Sequence, residues 1–511
     1  MLRSVFTVGA WTLVSRVLGF ARDMLIAAKL GAGPMADAFF VALKLPNLFR
    51  RFFGEGAFNA AFVPAFAQAL TQRGQLAARQ LAERMATLMA LWLSVLTVAG
   101  LLAMPWVMQV LAPGFSAVPD KFALAVELTR ITFPYLPLIC LTALVSGVLN
   151  GLGKFAAAAA APIFFNVLSM AALFALAPIV ATPAHALAWG VTLSGIVQLA
   201  FVMWAAARAG MPVHFLKLPK LAPEVRDVLR KMVPGLVGAG VTQLNLAIDV
   251  IIASFLPSGS VSYLYYADRV AQLPLGVIGA AVATALLPLL AKQLYGGQAL
   301  SAHRSMNRAV EISLALTLPA AIALAVLALP ILQALFQRGA FGAEEARLTS
   351  HALIAYAAGL PAFVLVKVFV PGFFARGDTA TPVKIGIACV ALNLALNLVL
   401  MGPLQHVGVA LSTTLAAWAN AGALALLLAR RGHLVPDRRL RRAAPRLLGA
   451  ALAMGVVLLA LVWWLAPGAG LDGVWRLALV CALGALAYGG AAQLSGGLDV
   501  RELRRMLRRK A

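Results

Sequence analysis

Residues 11–40, WTLVSRVLGFARDMLIAAKLGAGPMADAFF, decide how this chain folds. They read as an apolar helix, a Gly-rich turn and the start of a second helix, on the scale needed to cross a bilayer core of roughly 30 Å. Yet Arg16, Arg22, Asp23, Lys29 and Asp37 lie inside the stretch. A charge at the centre of a spanning helix costs around 2.5–3.5 kcal/mol on insertion scales, so such residues face a cavity or a partner and mark a pathway. This stretch is therefore read as one wall of a polar cavity inside a membrane protein.

The rest of the chain agrees. Of 511 residues, 62% are hydrophobic and 12% charged, and the mean hydropathy is +0.91. A soluble domain is nearer half apolar and a quarter charged. The expected class is an all-α polytopic membrane protein of about fourteen spans. They fall near residues 6–30, 35–70 (broken near Pro46), 85–112, 122–150, 159–180 and 186–207. The next six are 232–256, 262–291, 309–336, 350–374, 385–402 and 407–429, and the last two 447–466 and 475–495. Arg16 and Arg22 interrupt any signal-peptide core, so the first span reads as retained.

The net charge of +24 is concentrated in short loops and in the tail, as in RRGHLVPDRRLRRAAPR and RELRRMLRRKA. Loops after even-numbered spans hold Arg73, Arg79, Arg84, Lys154, Arg208 and Arg430, whereas GAGPMA, PSGSVS, MGPLQH and APGAGLDG hold no Lys or Arg. Basic loops stay in the cytoplasm and are attracted to anionic headgroups. Both termini are then expected in the cytoplasm, with membrane lipids rather than nucleic acid as the partner of the charge. Cys140, Cys389 and Cys481 sit in apolar spans and imply neither a disulfide framework nor a metal centre.

The chain also repeats itself. DMLIAAKLGAGPMADAFF from Asp23 resembles DVIIASFLPSGSVSYLYY from Asp249, 226 positions later, and ARAG ending at Gly210 resembles ARRG ending at Gly432, 222 positions later. Two six-helix halves of equal polarity follow, related by a pseudo-two-fold along the membrane normal, and in such repeats the transport site lies between the halves. The expected organisation is an N-lobe at 1–210, a linker at 211–231, a C-lobe at 232–430, a basic linker at 431–446, two extra helices within 447–497 and a basic tail at 498–511.

The first half is dense in intramembrane charge: Arg16, Arg22, Asp23, Lys29, Asp37, Lys44, Arg50, Arg51 and Glu55. The second offers Asp249, Asp268, Arg269, Glu311 and Lys367. Arg16 and Asp23, seven apart, share a helix face and could pair internally. The adjacent Asp268 and Arg269 are less suited to pairing. Six of the nine first-half groups are cationic, and a guanidinium fork suits phosphate or carboxylate. An anionic, phosphate-bearing substrate is the expectation. GLGKF at 151–155 resembles a phosphate-binding loop but lacks its spacing and its Ser/Thr. Transport powered by ATP hydrolysis in this chain is therefore not expected.

SRVLGFARD, GAGPMADAFFVALKLPNLFRRFFGEGAFNAAFVP, APGF, ASFLPSGSVSYLYYADR and PGFFARGDTATPVK together resemble the MurJ (MviN) family of bacterial lipid II flippases. That family belongs to the multidrug/oligosaccharidyl-lipid/polysaccharide exporter superfamily. The resemblance covers nearly the whole chain. It implies a non-enzymatic transporter of the inner membrane, fourteen helices and a groove beside the last two. Its substrate would be lipid II, the undecaprenyl-diphosphate-linked disaccharide-pentapeptide of peptidoglycan synthesis, with cell-wall synthesis proteins as further partners. Carried over by position, substrate binding falls on Arg16, Arg22, Arg50 and Arg269, with Lys44 and Asn47 lining the same cavity. Asp23, Asp37 and Asp268 would orient or gate. Some relatives carry an acidic residue where this chain has Gln272. Asn393 and Asn397, four apart on one helix face, with Asp249 and Thr413, would supply oxygen ligands to a sodium ion, or else glue helices together. The alternatives in function are a flippase for another polyprenyl-diphosphate glycan, a drug exporter and a cell-wall assembly scaffold.

Overall fold

The computed structural model describes residues 2–51, 57–215 and 222–497. Glu55, Lys217, Lys220 and the basic tail at 498–511 lie outside the described residues. Helices account for most of the chain, which divides into two compact units, Met1–Ser262 and Tyr263–Ala511. The first holds α1 (Leu2–Leu30), α2 (Pro34–Arg50), α3 (Ala57–Leu102), α4 (Met104–Leu111) and a 3-10 turn (Pro113–Ala117). It continues with α5 (Pro119–Thr132), α6 (Tyr135–Gly151), α7 (Phe155–Ala175), α8 (Pro183–Arg208) and α9 (Pro223–Ser254). The boundary falls in the opening turn of α10 (Ser260–Tyr295). The second unit continues with α11 (Ala299–Val326), α12 (Ala328–Leu335), α13 (Ala343–Phe374), α14 (Ala380–Arg430), α15 (Arg438–Leu465) and α16 (Leu471–Leu494).

Two helices are too long for one crossing. At about 1.5 Å per residue, the 51 residues of α14 and the 46 of α3 would each far outreach a bilayer core. Both are broken. Gln405 (φ 49°, ψ −130°) interrupts α14 just after Pro403, and Gly74 (φ 83°, ψ 179°) interrupts α3 within the basic loop. Among the described residues nine helices are long and apolar enough to cross a membrane, these two included. The charge-bearing α1 and α2 are not among the nine.

Packing in the first unit uses rings against small residues. Phe58, Phe62 and Phe66 stack one turn apart along α3, at 5.1 and 5.9 Å between centroids. On α6, Gly151 leaves room for Phe66, whose ring a Cβ there would meet at 2.5 Å. The segment between α8 and α9 is tied back to α3 by Gln75 on Gly210 O (2.8 Å) and Arg73 on Glu224 (3.0 Å). In the second unit α15 and α16 pack on α11 and α12 through Leu327, Ala334, Met454, Leu458, Leu477 and Val480. Tyr488 secures that contact by donating to Ala315 O at 2.7 Å. Trp463, Trp464 and Trp475 flank the α15–α16 turn and are at least 75% exposed, as expected of an aromatic belt at the membrane surface.

Candidate functional site

The first cluster is built on α1, which runs unbroken through Gly19. Arg16 is exposed, and Asp23 is buried and bonded to its chain neighbour instead: Asp23 Oδ1 accepts from Arg22 Nε at 3.1 Å and Nη2 at 2.7 Å. The long arginine stem folds the fork back over the next residue, a geometry that helical spacing alone does not suggest. Arg22 Nη1 donates to Asn166 Oδ1 at 3.1 Å, and Asn166 Nδ2 donates to Ser15 O at 2.9 Å. The guanidinium also lies 4.9 Å over the Phe165 ring. At 8% exposure, Arg22 is a cation held in place by α7, and each hydrogen bond to it is worth about 1.5–3 kcal/mol.

Lys44, Asn47 and Arg50 lie half-buried on α2, with Arg50 Nε 3.4 Å from Asn47 Oδ1. Pro46 has no N–H, so the Ala42 carbonyl one turn earlier loses its helical partner. Thr132 Oγ1 from α5 donates to that carbonyl at 3.2 Å. The kink is thereby satisfied.

Asp37 has no exposed surface. Its Oδ2 accepts from Lys121 Nζ at 2.7 Å and Gly259 N at 2.7 Å, and its Oδ1 from Ser262 N at 2.9 Å and Ser262 Oγ at 2.6 Å. The carboxylate thus takes up N–H groups that a helix start leaves without partners, where the helix dipole also favours an anion. Lys121 is also buried and sits 4.1 Å over the Phe115 ring. Beside it, Gly114 N donates to Ser254 Oγ at 3.1 Å.

In the second unit, adjacent charges find partners one turn away rather than each other. Gln272 Nε2 donates to Asp268 Oδ2 at 2.6 Å, and Arg269 stacks 4.8 Å over Tyr265. Asn393 and Asn397 on α14 are fully buried, and Thr413 Oγ1 donates to Val409 O at 3.1 Å. Asp249 is a half-buried carboxylate of α9 in the first unit. Among the described residues no three His, Cys, Asp or Glu side chains form a transition-metal cluster.

Sequence reasoning missed Lys121, Asn166 and Ser262. Lys121 carried a signal, as a lysine in a loop on the side where Lys and Arg are scarce. Asn166 and Ser262 carried none, since a lone polar residue in an apolar helix or at a helix start is common.

The family model described as "Lipid II flippase MurJ" matches residues 26–475. A "Probable lipid II flippase MurJ" of Rhizobium tropici is 43% identical over 519 aligned positions, covering 100% of this chain and 97% of the relative. Among solved structures, "Lipid II flippase MurJ, inward closed conformation" superimposes with a TM-score of 0.80 at 23% identity, over 95% of this chain and 98% of that one. A multidrug resistance MATE family transporter of the MOP superfamily, in its inward-facing conformation, gives 0.68 at 15% identity, over 83% and 97%. Structures that distant report the fold, whereas the family model and the Rhizobium relative report descent. The chain is a multi-pass helical membrane protein and belongs to the lipid II flippase MurJ family.

Proposed function

We propose that this chain flips lipid II from the cytoplasmic to the periplasmic leaflet of a bacterial inner membrane by alternating access. The family match over nearly the whole chain carries the reading. The buried Arg22 and the four-bonded Asp37 give it residues. Arg16, Arg22 and Arg50 bind the diphosphate, with Lys44 and Asn47 beside them, and Arg269 is a further substrate-binding residue. Asp23 orients Arg22, Asp268 is held by Gln272, and Asp37 gates by holding or releasing the opening turn of α10. The polyprenyl chain stays in lipid or along α15 and α16.

The breaks in α3 and α14 support fourteen spans: six to each lobe, plus α15 and α16, with both termini cytoplasmic and lobe boundaries near 210 and 430. No bond in the substrate changes, so ATP hydrolysis is not needed. Carrying roughly two negative charges outward across 100 mV of an inside-negative potential would gain nearly 5 kcal/mol. A sodium ion at Asn393, Asn397 and Thr413 would couple transport to a second gradient, a reading supported by the full burial of both asparagines.

The test is complementation of a flippase-depleted bacterium, with inward-facing lipid II measured directly. Wild type should restore growth and clear the precursor. Arg22→Ala and Arg269→Ala should be made, reach the membrane and fail. Growth with both variants would sink the assignment.

A further inference from the structure

Two corners of the molecule share a backbone and differ in everything else. In the first unit α6 ends at Gly153 (φ 72°), with Gly153 N–H on Asn150 O (3.0 Å) and Lys154 N–H on Leu149 O (2.8 Å). In the second α13 ends at Gly377 (φ 79°), with Gly377 N–H on Phe374 O (3.0 Å) and Asp378 N–H on Phe373 O (3.1 Å). The far ends of the following hairpins match as well. Gly210 and Met211 bond to Ala207 O and Ala206 O, as Gly432 and His433 bond to Ala429 O and Leu428 O. Residues at the first pair of caps correspond at a spacing of 224, and those at the second pair at 222.

The corner in the second unit is full. Asp378 accepts from Thr381 N (2.9 Å), from Thr381 Oγ1 (2.7 Å) and from Arg431 Nη1. Arg431 also donates to Thr381 Oγ1 at 3.2 Å and lies 5.5 Å over the Phe373 ring. At the matching places the first unit has Lys154 for Asp378, Ala157 for Thr381, Ala209 for Arg431 and Leu149 for Phe373. The larger polar or aromatic groups are truncated, and the acid has become a base. A cavity of about 650 Å³ takes their place, lined among others by Thr7, Leu149, Lys154, Ala157, Arg208 and Ala209.

None of the lining residues is acidic, and two are cations. Arg208 lies 4.9 Å over the Trp204 ring. Phe155 and Trp204 are exposed beside the cavity, at 39% and 55%. The opening therefore sits where basic loop gives way to lipid-facing surface, the level of the headgroups. A corner that has lost its internal anion, kept its shape and gained a lysine is built for an external anion.

We propose that this corner of the first unit holds the phosphodiester of an anionic membrane lipid, between Lys154 and Arg208, with the acyl chains along the exposed face beginning at Phe155. Arg208 supplies the planar fork and Lys154 the point charge. With the charge bias of the loops, the leaflet is the cytoplasmic one. GLGKF at 151–155, no nucleotide loop, thereby acquires a phosphate role of another kind.

The experiment is native mass spectrometry of the full chain in detergent, titrated with dioleoylphosphatidylglycerol, dioleoylphosphatidylcholine or inorganic phosphate. Wild type should retain phosphatidylglycerol selectively. Lys154→Gln with Arg208→Gln should weaken it about thirtyfold, as expected for two basic groups near an anionic headgroup. Arg430→Gln, at the place matching Arg208 in the filled corner, should leave retention unchanged. Lys154→Asp with Ala209→Arg, which rebuilds the charges of the second unit's corner, should go further and abolish selective retention. Retention unaltered in both double variants would overturn the proposal. Inorganic phosphate displacing the lipid at equal concentration would overturn the lipid as its source. The readout is retention rather than flipping, so it stands or falls apart from the transport reading.

Discussion

Asp37 and Tyr263 occupy matching places in the repeat, 226 positions apart, and do opposite things. Asp37 is buried and charged, neutralised by Lys121 at 2.7 Å. Tyr263 is buried and neutral, its ring 5.1 Å from that of His406. The counterpart of Lys121, 224 positions on, is Glu345, which turns back to accept from Gly342 N at 2.9 Å and caps its own helix. Duplication kept the helix starts and discarded the ion pair in one copy. Apolar groups often replace a buried ion pair at no loss of stability. A pair that persists in one copy therefore points to a task beyond packing, and the opening turn of α10 is what this one grips.

The largest expected effect breaks that comparison directly. Lys121→Met leaves Asp37 buried beside no lysine, and removing one partner of a buried pair costs about 3–5 kcal/mol. Glu345→Ala removes a cap, worth about 0.5–2 kcal/mol. Thermal unfolding of the purified variants should rank them in that order, and equal losses would dissolve the distinction between the two copies. Adding Asp37→Asn to Lys121→Met should recover part of the loss, because no charge is then stranded. Complementation should stay negative, since the grip on Gly259 and Ser262 is weakened in either case.

Next in size is Gly114→Ala. A Cβ there would sit 2.3 Å from Ser254 O, so the 3-10 turn must move away from the end of α9. The matching position in the second unit is Arg338, which reaches Ala334 O at 2.9 Å and tolerates a full side chain. Overpacking typically costs about 1–3 kcal/mol. Hydrogen exchange should accelerate in residues 254–262, whereas Arg338→Ala should leave the second unit's exchange nearly unchanged.

What the sequence disclosed follows the same division. Helix class, the basic loops and the duplication were legible because hydropathy, charge and Gly-capped helix ends are local signals. Offsets of 222 and 224 residues reappear in the backbone as paired caps. Burial of Arg22 was legible only in part. Spacing put Arg16 and Asp23 on one face, but the bond went to the adjacent Arg22, because a guanidinium fork can fold back along its own helix and Asn166 of α7 fixes it there. Lys121 escaped notice for a related reason: its partner lies 84 positions away, and no periodicity encodes a contact of that range.

A conservative change sharpens the comparison at Arg22, whose repeat counterpart is Ile248. Arg22→Lys keeps the charge and loses the fork that spans Asp23 and Asn166. Forfeiting one charged hydrogen bond costs about 1.5–3 kcal/mol. Flipping in proteoliposomes should fall by roughly tenfold or more if that loss is felt in transport. Ile248→Val, at the counterpart, should leave it unchanged. Wild-type rates with lysine at 22 would reduce Arg22 to a point charge.

The smallest effect concerns the two corners again. His433, matched by Met211 in the first unit, is held below the usual histidine range by burial and by the nearby positive Arg376 and Arg431. A depressed base binds fewer protons folded than unfolded as pH drops below about 6.5. Its contribution to stability is therefore complete above that value and is lost as pH falls through the folded pKa. Asp378 is held well below the usual carboxylate range by the Thr381 hydroxyl, Arg431 and the Thr381 amide, so its own contribution persists to much lower pH and does not confuse the window. Unfolding temperatures at pH 7.5 and 5 should differ slightly more in wild type than in His433→Gln. The half-exposed ring keeps the effect below the roughly 1.4 kcal/mol of a full pKa unit. Met211→Gln should not alter the slope, because neither methionine nor glutamine carries an ionisable group. A slope that follows Met211 instead of His433 would place the proton elsewhere.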